Sequence, residues 1–109
     1  MTEHKIIRNG PIQMDLTINQ VCIGGAPVRF TPKEYDLLKF FVENKGQTKT
    51  YAEILRHVWP FVRNDGTPNL TVYIYILRQK LKEWHLDQSI KSQLRVGYRM
   101  EDLTSRTAV

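Results

Sequence analysis

The residues best suited to chemistry lie between 67 and 84, in the segment TPNLTVYIYILRQKLKEW. One set of its side chains is polar or cationic and recurs at helical spacing: Thr71, Tyr75, Arg78, Gln79 and Lys82. Cations neutralise phosphates, and hydroxyl or amide groups between them can hydrogen-bond to base edges in a DNA major groove. Without its neighbours, the same row also fits an ordinary solvated helix face.

A second set of side chains in this segment is apolar and follows the 3.6-residue period of one helix face. Its members are Leu70, Ile74, Leu77, Leu81 and Trp84. The segment begins with Thr67-Pro68, and a threonine cap followed by proline is a common helix start. The sequence therefore predicts one long helix that buries one face in a core and exposes the other.

The distribution of charge supports an anionic partner for the exposed face. The chain of 109 residues carries 16 Lys and Arg against 11 Asp and Glu, a net charge of +5. Residues 67–100 hold six of the cations against two acids, so +4 of the +5 falls on the long helix and the segment after it. Clustered cations favour a polyanion, and double-stranded DNA is the partner we expect.

Other classes of protein have little support in the sequence. The longest apolar run, Val72 to Leu77, has six residues, whereas a membrane span needs about 18. The N-terminus has no apolar signal segment, and a single cysteine, Cys22, cannot form an internal disulfide, so we expect a cytoplasmic protein. The sequence contains no metal-ligand spacing and no nucleophile-and-base arrangement, so we expect no enzyme, metal or cofactor.

The first part of the chain predicts a flexible segment followed by a small sheet. Residues 1–10 are typical of a flexible arm or the remnant of a linker. From Ile12 to Phe30, apolar and polar residues alternate in short runs. Gly24-Gly25 suits a hairpin turn, since glycine tolerates positive φ at both turn positions. The sheet should therefore be antiparallel.

Two shorter helices are predicted between this sheet and the long helix. Each begins with a capping box, Thr31-Pro32-Lys33-Glu34 for the first helix and Thr50-Tyr51-Ala52-Glu53 for the second. The first should end at Gly46, and Pro60 stops the second. A link at Gln47-Thr48-Lys49 connects them.

The segment from Ser89 to Met100 returns to a period of two, which predicts a β-hairpin. The even-numbered positions include the apolar residues Ile90, Leu94, Val96, Tyr98 and Met100. The odd-numbered positions include the polar residues Lys91, Gln93, Arg95 and Arg99. The element order is sheet, helix, helix, loop, long helix and hairpin. This order predicts an α+β winged helix-turn-helix domain over residues 11–103, with a flexible tail at 104–109.

Several motifs at matching spacing carry a family resemblance. They are Phe30-Thr31-Pro32-Lys33-Glu34-Tyr35, Ile54-Leu55, Val58-Trp59, Leu77-Arg78-Gln79-Lys80-Leu81 and Val96-Gly97-Tyr98-Arg99. With them the chain resembles the OmpR/PhoB-type winged-helix effector domain of bacterial two-component response regulators. The resemblance implies a transcriptional regulator whose third helix lies in the major groove and whose wing enters the adjacent minor groove.

The resemblance also assigns roles by position. Phosphate contacts are implied for Trp59, Arg78, Ser92 and Tyr98. Positions toward base edges are implied for Asn69, Val72, Tyr73, Tyr75 and Ile76. A loop contacting RNA polymerase is implied for Phe61, Val62, Arg63 and Asn64. Trp59 and Tyr98 also fit a packing role at the core, and Tyr73 fits packing better than base contact.

The wing departs from the family pattern. The family reads Arg-Gly-x-Gly-Tyr, whereas this chain reads Leu94-Arg95-Val96-Gly97-Tyr98. Either Arg95 is the minor-groove arginine displaced by one residue, or the hairpin is one residue shorter. We predict that Arg95 enters the minor groove.

The resemblance further implies partners. The family joins this domain to a phosphoacceptor receiver domain, for which 109 residues leave no room, and pairs two domains head to tail on direct-repeat DNA. We expect the free chain to be a monomer. The rival interpretation is a winged helix used for protein interaction through Phe61 to Gly66, with Phe61 and Val62 as anchors. Salt dependence separates the two, since phosphate contacts weaken steeply with salt.

Overall fold

The fold begins with four short antiparallel strands. The computed structural model describes residues 3–61 and 68–104. The strands are β1 (Ile6–Asn9), β2 (Ile12–Asp15), β3 (Gln20–Ile23) and β4 (Ala26–Val28), in the order β1-β2-β3-β4. The predicted turn at Gly24-Gly25 joins β3 to β4, with φ of +59° and +85°. Ile12, Met14, Val21 and Ile23 form the buried face of this sheet.

The first strand corrects the prediction that residues 1–10 form a flexible arm. Ile6–Asn9 pairs antiparallel with β2. Asn9 is fully buried, and its side chain donates to the Glu101 carbonyl oxygen at 2.8 Å and accepts from the Leu103 amide at 2.7 Å. The first strand is thus tied to the far end of the chain. Its pairing partner β2 follows it directly, but the partners of the Asn9 side chain lie more than 90 residues away, and no local pattern indicates them.

The two shorter helices begin as predicted. They are α1 (Pro32–Glu43) and α2 (Tyr51–Val58). Thr31 and Glu34 form the capping box of α1, and Thr50 and Glu53 form that of α2. Gly46, with a φ of +80°, follows the Asn44 cap at the end of α1, where a left-handed residue was expected.

The long helix is shorter than predicted and begins with a different cap. Helix α3 spans Leu70–Leu81, and a 3₁₀ turn, Lys82–Trp84, follows it. Its cap is Asn69, whose side-chain oxygen accepts from the Val72 amide at 3.4 Å. Asparagine is among the best capping residues, so Pro68 lies before the cap rather than in the first turn. Thr67, the predicted cap, lies outside the described residues.

The C-terminal hairpin is part of a three-stranded sheet. Its strands are β6 (Ile90–Gln93) and β7 (Gly97–Met100), and β5 (Thr48–Thr50) pairs with β7 on the other side. The sequence assigned residues 48 and 49 to a link, so β5 was missed. Gly97 lies in β7, where it pairs with Thr50 of β5. A Cβ at this position would lie 1.8 Å from the Lys49 carbonyl oxygen, so only glycine fits.

The core lies between the helices and the two sheets. The predicted apolar stripe of α3 is confirmed for Leu70, Ile74, Leu77 and Leu81, which are buried, and Trp84 is half-buried against the same core. Leu37, Leu38 and Phe41 of α1, Ile54 of α2 and Met100 of β7 complete its centre. The α+β winged helix-turn-helix architecture is therefore as predicted.

Candidate nucleic-acid interface

The outer face of α3 is the largest element of the candidate interface. Burial of its apolar stripe leaves the opposite side of the helix in solvent. The predicted residues Thr71, Val72, Tyr75, Gln79 and Lys82 are all exposed, and Ile76 is half-buried beside them. Tyr75 is 61% exposed and Val72 is 48% exposed. This face therefore presents hydroxyl, amide, ammonium and apolar groups together, which is the mixture that reads base edges and thymine methyls.

Asn69 is exposed at the N-terminal end of α3. Its side-chain oxygen is already engaged as the helix cap, accepting from the Val72 amide. The remaining hydrogen-bonding capacity of this side chain is mainly that of its NH₂ group, a donor. A base contact by Asn69 would therefore be a donation to an acceptor such as a purine N7.

Arg78 connects α3 to the wing. Its Nε and Nη2 donate to the Ile90 carbonyl oxygen at 3.2 and 2.8 Å, and Nη2 also donates to Ser92 Oγ at 3.1 Å. Its Cζ lies 5.9 Å from the centre of the Tyr98 ring. Three residues predicted to contact phosphates, Arg78, Ser92 and Tyr98, are thus brought together. The guanidinium holds the wing in a fixed position relative to α3, a role that sequence reasoning did not assign.

The two aromatic residues predicted to contact phosphates are buried. Trp59, at the end of α2, is 8% exposed and packs edge to face against Tyr73, with ring centroids 4.9 Å apart. Tyr98 is 7% exposed and packs edge to face against Tyr51. Most of each ring is therefore packed inside the protein, which agrees with the packing role that the sequence left open for Trp59 and Tyr98. Tyr73 also packs, as expected, against Trp59.

The tip of the wing is a tight turn from Gln93 to Val96. The Val96 amide donates to the Gln93 carbonyl oxygen at 2.9 Å, and the Tyr51 amide donates to the Val96 carbonyl oxygen at 3.2 Å. Arg95 is exposed and has a φ of +62°, a backbone conformation that favours glycine. Arg95 therefore occupies the glycine position of the family pattern without a gap, and Leu94 occupies the arginine position.

The predicted alternation of apolar and polar residues along the hairpin is wrong at this turn. Leu94 is 86% exposed and Val96 is 46% exposed, whereas Ile90, Tyr98 and Met100 are buried as expected. Strand alternation stops at Gln93, because residues 94–96 form the turn between the two strands. Side chains in a turn no longer follow the alternation of the pleat. Two apolar side chains are consequently left in solvent beside Arg95.

Some cations of the basic segment are held by acids of the protein. Lys80 Nζ lies 2.5 Å from Glu34 Oε1 and 3.1 Å from the Arg29 carbonyl oxygen. Arg99 pairs with Glu101 at 2.9 Å. The outward charge of α3 and the wing therefore comes from other cations, including Lys82 and Arg95, rather than from all six that the sequence counted.

Glu34 is the most buried acid of these pairs, at 6% exposure. Burial raises the pKa of its carboxyl, but the hydrogen bonds from Lys80 and from Thr31, with the charge of Lys80, outweigh burial and hold the pKa below its usual range. Sequence reasoning gave Glu34 only a capping role. Glu34 and Lys80 are separated by 46 positions in the sequence, so no local signal indicates their contact.

The predicted polymerase-contact loop is described only at its start. Phe61 follows α2 and is 95% exposed, while Val62, Arg63 and Asn64 lie outside the described residues. Within residues 3–61 and 68–104, no group of His, Cys, Asp and Glu side chains could hold a metal ion. None of the helices in that part of the chain is long and apolar enough to cross a membrane.

Comparison with known proteins gives consistent matches. Residues 25–100 match the family described as "Transcriptional regulatory protein, C terminal". The chain is 35% identical over 97 residues to the transcriptional regulatory protein KdpE of Staphylococcus aureus, covering 87% of this chain and 42% of that one. It is 38% identical over 93 residues to the response regulator ArlR of the same species, covering 85% and 42%. The chain thus spans about two fifths of the length of these curated relatives.

Solved structures show the same fold. The DNA-binding domain of Klebsiella pneumoniae RstA, crystallised in complex with the RstA box, aligns with a TM-score of 0.75 and 28% identity, covering 91% of this chain and 99% of that one. The DNA-binding domain of E. coli CadC aligns with a TM-score of 0.71 and 27% identity, covering 90% and 94%. Each alignment therefore covers about nine tenths of this chain.

Proposed function

We propose that this chain, which belongs to the OmpR/PhoB-type family of transcriptional regulatory protein C-terminal domains, binds double-stranded DNA sequence-specifically and regulates transcription. One observation carries the proposal. The exposed face of α3 and the wing are held together through the Arg78 guanidinium and the Ile90 carbonyl oxygen. A rigid helix and hairpin can enter adjacent grooves of one duplex without ordering on binding.

The base-reading surface is assigned to the outward residues of α3. Tyr75 and Gln79 lie on its exposed side, and Val72 and Ile76 add apolar contact surface. Thr71 and Lys82 stand at its two ends. Because base contacts specify the site while phosphate contacts only position the protein, changes at Tyr75 or Gln79 should alter sequence preference more than affinity for random DNA.

The phosphate contacts are assigned to groups around the wing and the ends of α3. Ser92 is exposed and pairs across the wing with Tyr98, and Lys82 is exposed after α3. Trp59 and Tyr98 can contribute only the edge of each ring, since their bodies are buried. The Nε and Nη2 groups of Arg78 already donate to atoms of the protein, so the first role of this side chain is to position the wing.

The proposed role in a larger regulator and the proposed partners are taken from the relatives. The names of KdpE and ArlR describe a transcriptional regulatory protein and a response regulator, and both are more than twice as long as the matched segment. We infer that this chain serves as the output part of such a regulator in the cytoplasm and pairs head to tail on direct-repeat DNA. The almost complete exposure of Phe61 fits a contact with another protein, for which RNA polymerase is the proposed partner.

Selection of bound sequences from random duplexes tests the proposal. A recovered motif, bound with an affinity that falls steeply with salt, is the expected result. Roughly four to six neutralised phosphates would give a slope of log affinity against log salt near −4 to −5. A protein-interaction module would show no motif and a slope near zero.

Charge-matched variants locate the interface. Lys82→Ala should reduce affinity and lower the salt slope by about one. Lys5→Ala removes the same charge just ahead of β1, the outer strand of the N-terminal sheet, and should leave both quantities unchanged. Equal effects of the two variants would mean that net charge, and not the face of α3, drives binding.

A further inference from the structure

We propose that Leu94 enters the minor groove as an apolar wedge that partly unstacks one base step. The inference rests on the proposed DNA-binding function and assigns a specificity-determining role to a residue that the charge pattern passed over. At the wing tip, Leu94 is 86% exposed beside the exposed Arg95 and the half-exposed Val96.

The position of Leu94 is unusual for a leucine. The leucines of α1 and α3 are all buried in the core, and so is Leu103 near the C-terminal end. Leu94 gives nothing to that core, because it stands at the second position of a turn that begins at Gln93. An apolar side chain gains most from contact that removes it from water. At a minor groove, that contact is the space between two partly unstacked base pairs.

The turn is rigid enough to act as a wedge. The Val96 amide closes it onto the Gln93 carbonyl oxygen, and the Tyr51 amide holds the Val96 carbonyl oxygen from α2. The base of the hairpin is fixed to α3 by Arg78. Once α3 lies in the major groove, the tip cannot swing away from the duplex. Leu94 therefore reaches a fixed base step, and that step acquires a sequence preference.

Charge around the tip favours DNA over a protein surface as the occupant. Arg95 follows Leu94 in the same turn and is exposed. Lys91 lies in β6, farther from the tip, opposite Arg99, which is paired with Glu101. The apolar surface of the turn consists of Leu94 and the half-exposed Val96, one on each side of Arg95 in the sequence. A small apolar tip that carries an exposed cation fits the negative potential of the minor groove, where apolar wedges act beside basic residues.

The wedge makes a prediction about deformability. Pyrimidine-purine steps such as TA and CA unstack most easily, so one of them should occupy the position beneath the wing in the selected motif. Unstacking at that step is measurable with 2-aminopurine, an adenine analogue whose fluorescence rises when its neighbours no longer stack on it. The probe is the best duplex from the random selection, with 2-aminopurine placed at one step at a time.

The wild-type chain should raise the fluorescence at one step on the wing side of the α3 contacts, and at none of the others. Leu94→Ala should abolish the rise and weaken specific binding about tenfold, with an unchanged salt slope. Leu94→Arg should also abolish the rise but increase the slope by about one, since it adds a cation. Ile18→Ala, a matched truncation of another exposed residue outside α3 and the wing, should change nothing. Leu94 is exposed, so its variants should keep the melting temperature of the wild type.

Each contrary result has a separate meaning. Tight, specific wild-type binding with no fluorescence rise at any step would overturn the wedge and leave the proposed function standing. A rise that persists in Leu94→Ala would also overturn it. The wedge would also be overturned if Leu94→Ala lost only the cooperative binding of two copies, because Leu94 would then contact the other protein copy and not the DNA. Failure of the wild-type chain to bind any duplex would overturn the proposed function and the wedge with it.

Discussion

Replacement of Glu34 by alanine should destabilise the domain far more than the equivalent change in the second capping box. Glu34 and Glu53 have the same local role, since each accepts a hydrogen bond of 3.1 Å from the amide of its capping threonine. They differ in tertiary context. Glu34 also receives the Lys80 ammonium, and its side chain is 9% exposed, whereas the Glu53 side chain is 37% exposed.

The size of the effect follows from burial. Removing one partner of a fully buried ion pair costs about 3–5 kcal/mol, because the other charge is left without compensation. Lys80 keeps the Arg29 carbonyl oxygen and has a side chain that is 33% exposed, so part of this cost is avoided. We expect Glu34→Ala to reduce the free energy of unfolding by about 2–3 kcal/mol. For a domain of this size, the melting temperature should fall by about 10–15 °C.

Thermal and urea unfolding of wild type, Glu34→Ala, Glu34→Gln and Glu53→Ala give the comparison. Glu53→Ala should cost less than half as much as Glu34→Ala. Glu34→Gln retains an oxygen acceptor and the shape of the side chain, so it should fall between wild type and Glu34→Ala. Equal losses for the two alanine variants would show that Glu34 contributes only its cap, and the argument from the Lys80 pair would be wrong.

The same pair predicts a pH dependence. The folded-state pKa of Glu34 lies below its usual value of 4.5, so the ionised form is favoured by folding. This contribution is fully present above the unfolded-state pKa and is lost as the pH falls through the folded-state pKa. The difference in stability between wild type and Glu34→Gln should therefore be constant near neutral pH and shrink below pH 4.5. A difference that persists unchanged to low pH would contradict the assignment.

Three further predictions concern the wing and its contact with DNA. Arg78→Lys keeps the charge, but lysine cannot donate two hydrogen bonds to the Ile90 carbonyl oxygen in the geometry of the guanidinium. The affinity for the specific site should therefore fall while the salt slope stays unchanged. A slope lower by about one would instead mean that a phosphate contact was lost. Gly97→Ala would place its Cβ 1.8 Å from the Lys49 carbonyl oxygen, so β5 must separate from β7; amide hydrogen exchange should lose protection in β5, and full protection at wild-type stability would refute this. Arg95→Ala should erase most of the preference for an A·T-rich stretch on the wing side, a preference expected to be worth about 1–3 kcal/mol in wild type. Affinities of both proteins for A·T and G·C versions of one duplex test it, and an undiminished preference would remove Arg95 from the minor groove.

The sequence by itself determined the elements whose signals are local. The capping boxes at Thr31 and Thr50 and the glycine turn at Gly24-Gly25 each depend on residues within about four positions, and all three form as predicted. The apolar stripe of α3 also follows from spacing alone, because a helix with that period has only one face to bury. With the order of the elements, these signals were enough to predict the winged helix-turn-helix fold.

The tertiary structure decided what depends on residues far apart in the chain. Strand β1 is tied to the C-terminal end of the fold through the Asn9 side chain, and β5 exists because Gly97 lets its backbone approach β7. In the candidate interface, spacing identified Arg78 as a cation on α3, but only the packed structure turned its guanidinium toward the Ile90 carbonyl oxygen. Hydrogen bonds and ion pairs between distant segments form only after chain reversal has brought them together. No local pattern encodes that proximity. Leu94 was grouped with the apolar residues of the hairpin, but it lies in the turn from Gln93 to Val96 and is exposed to solvent.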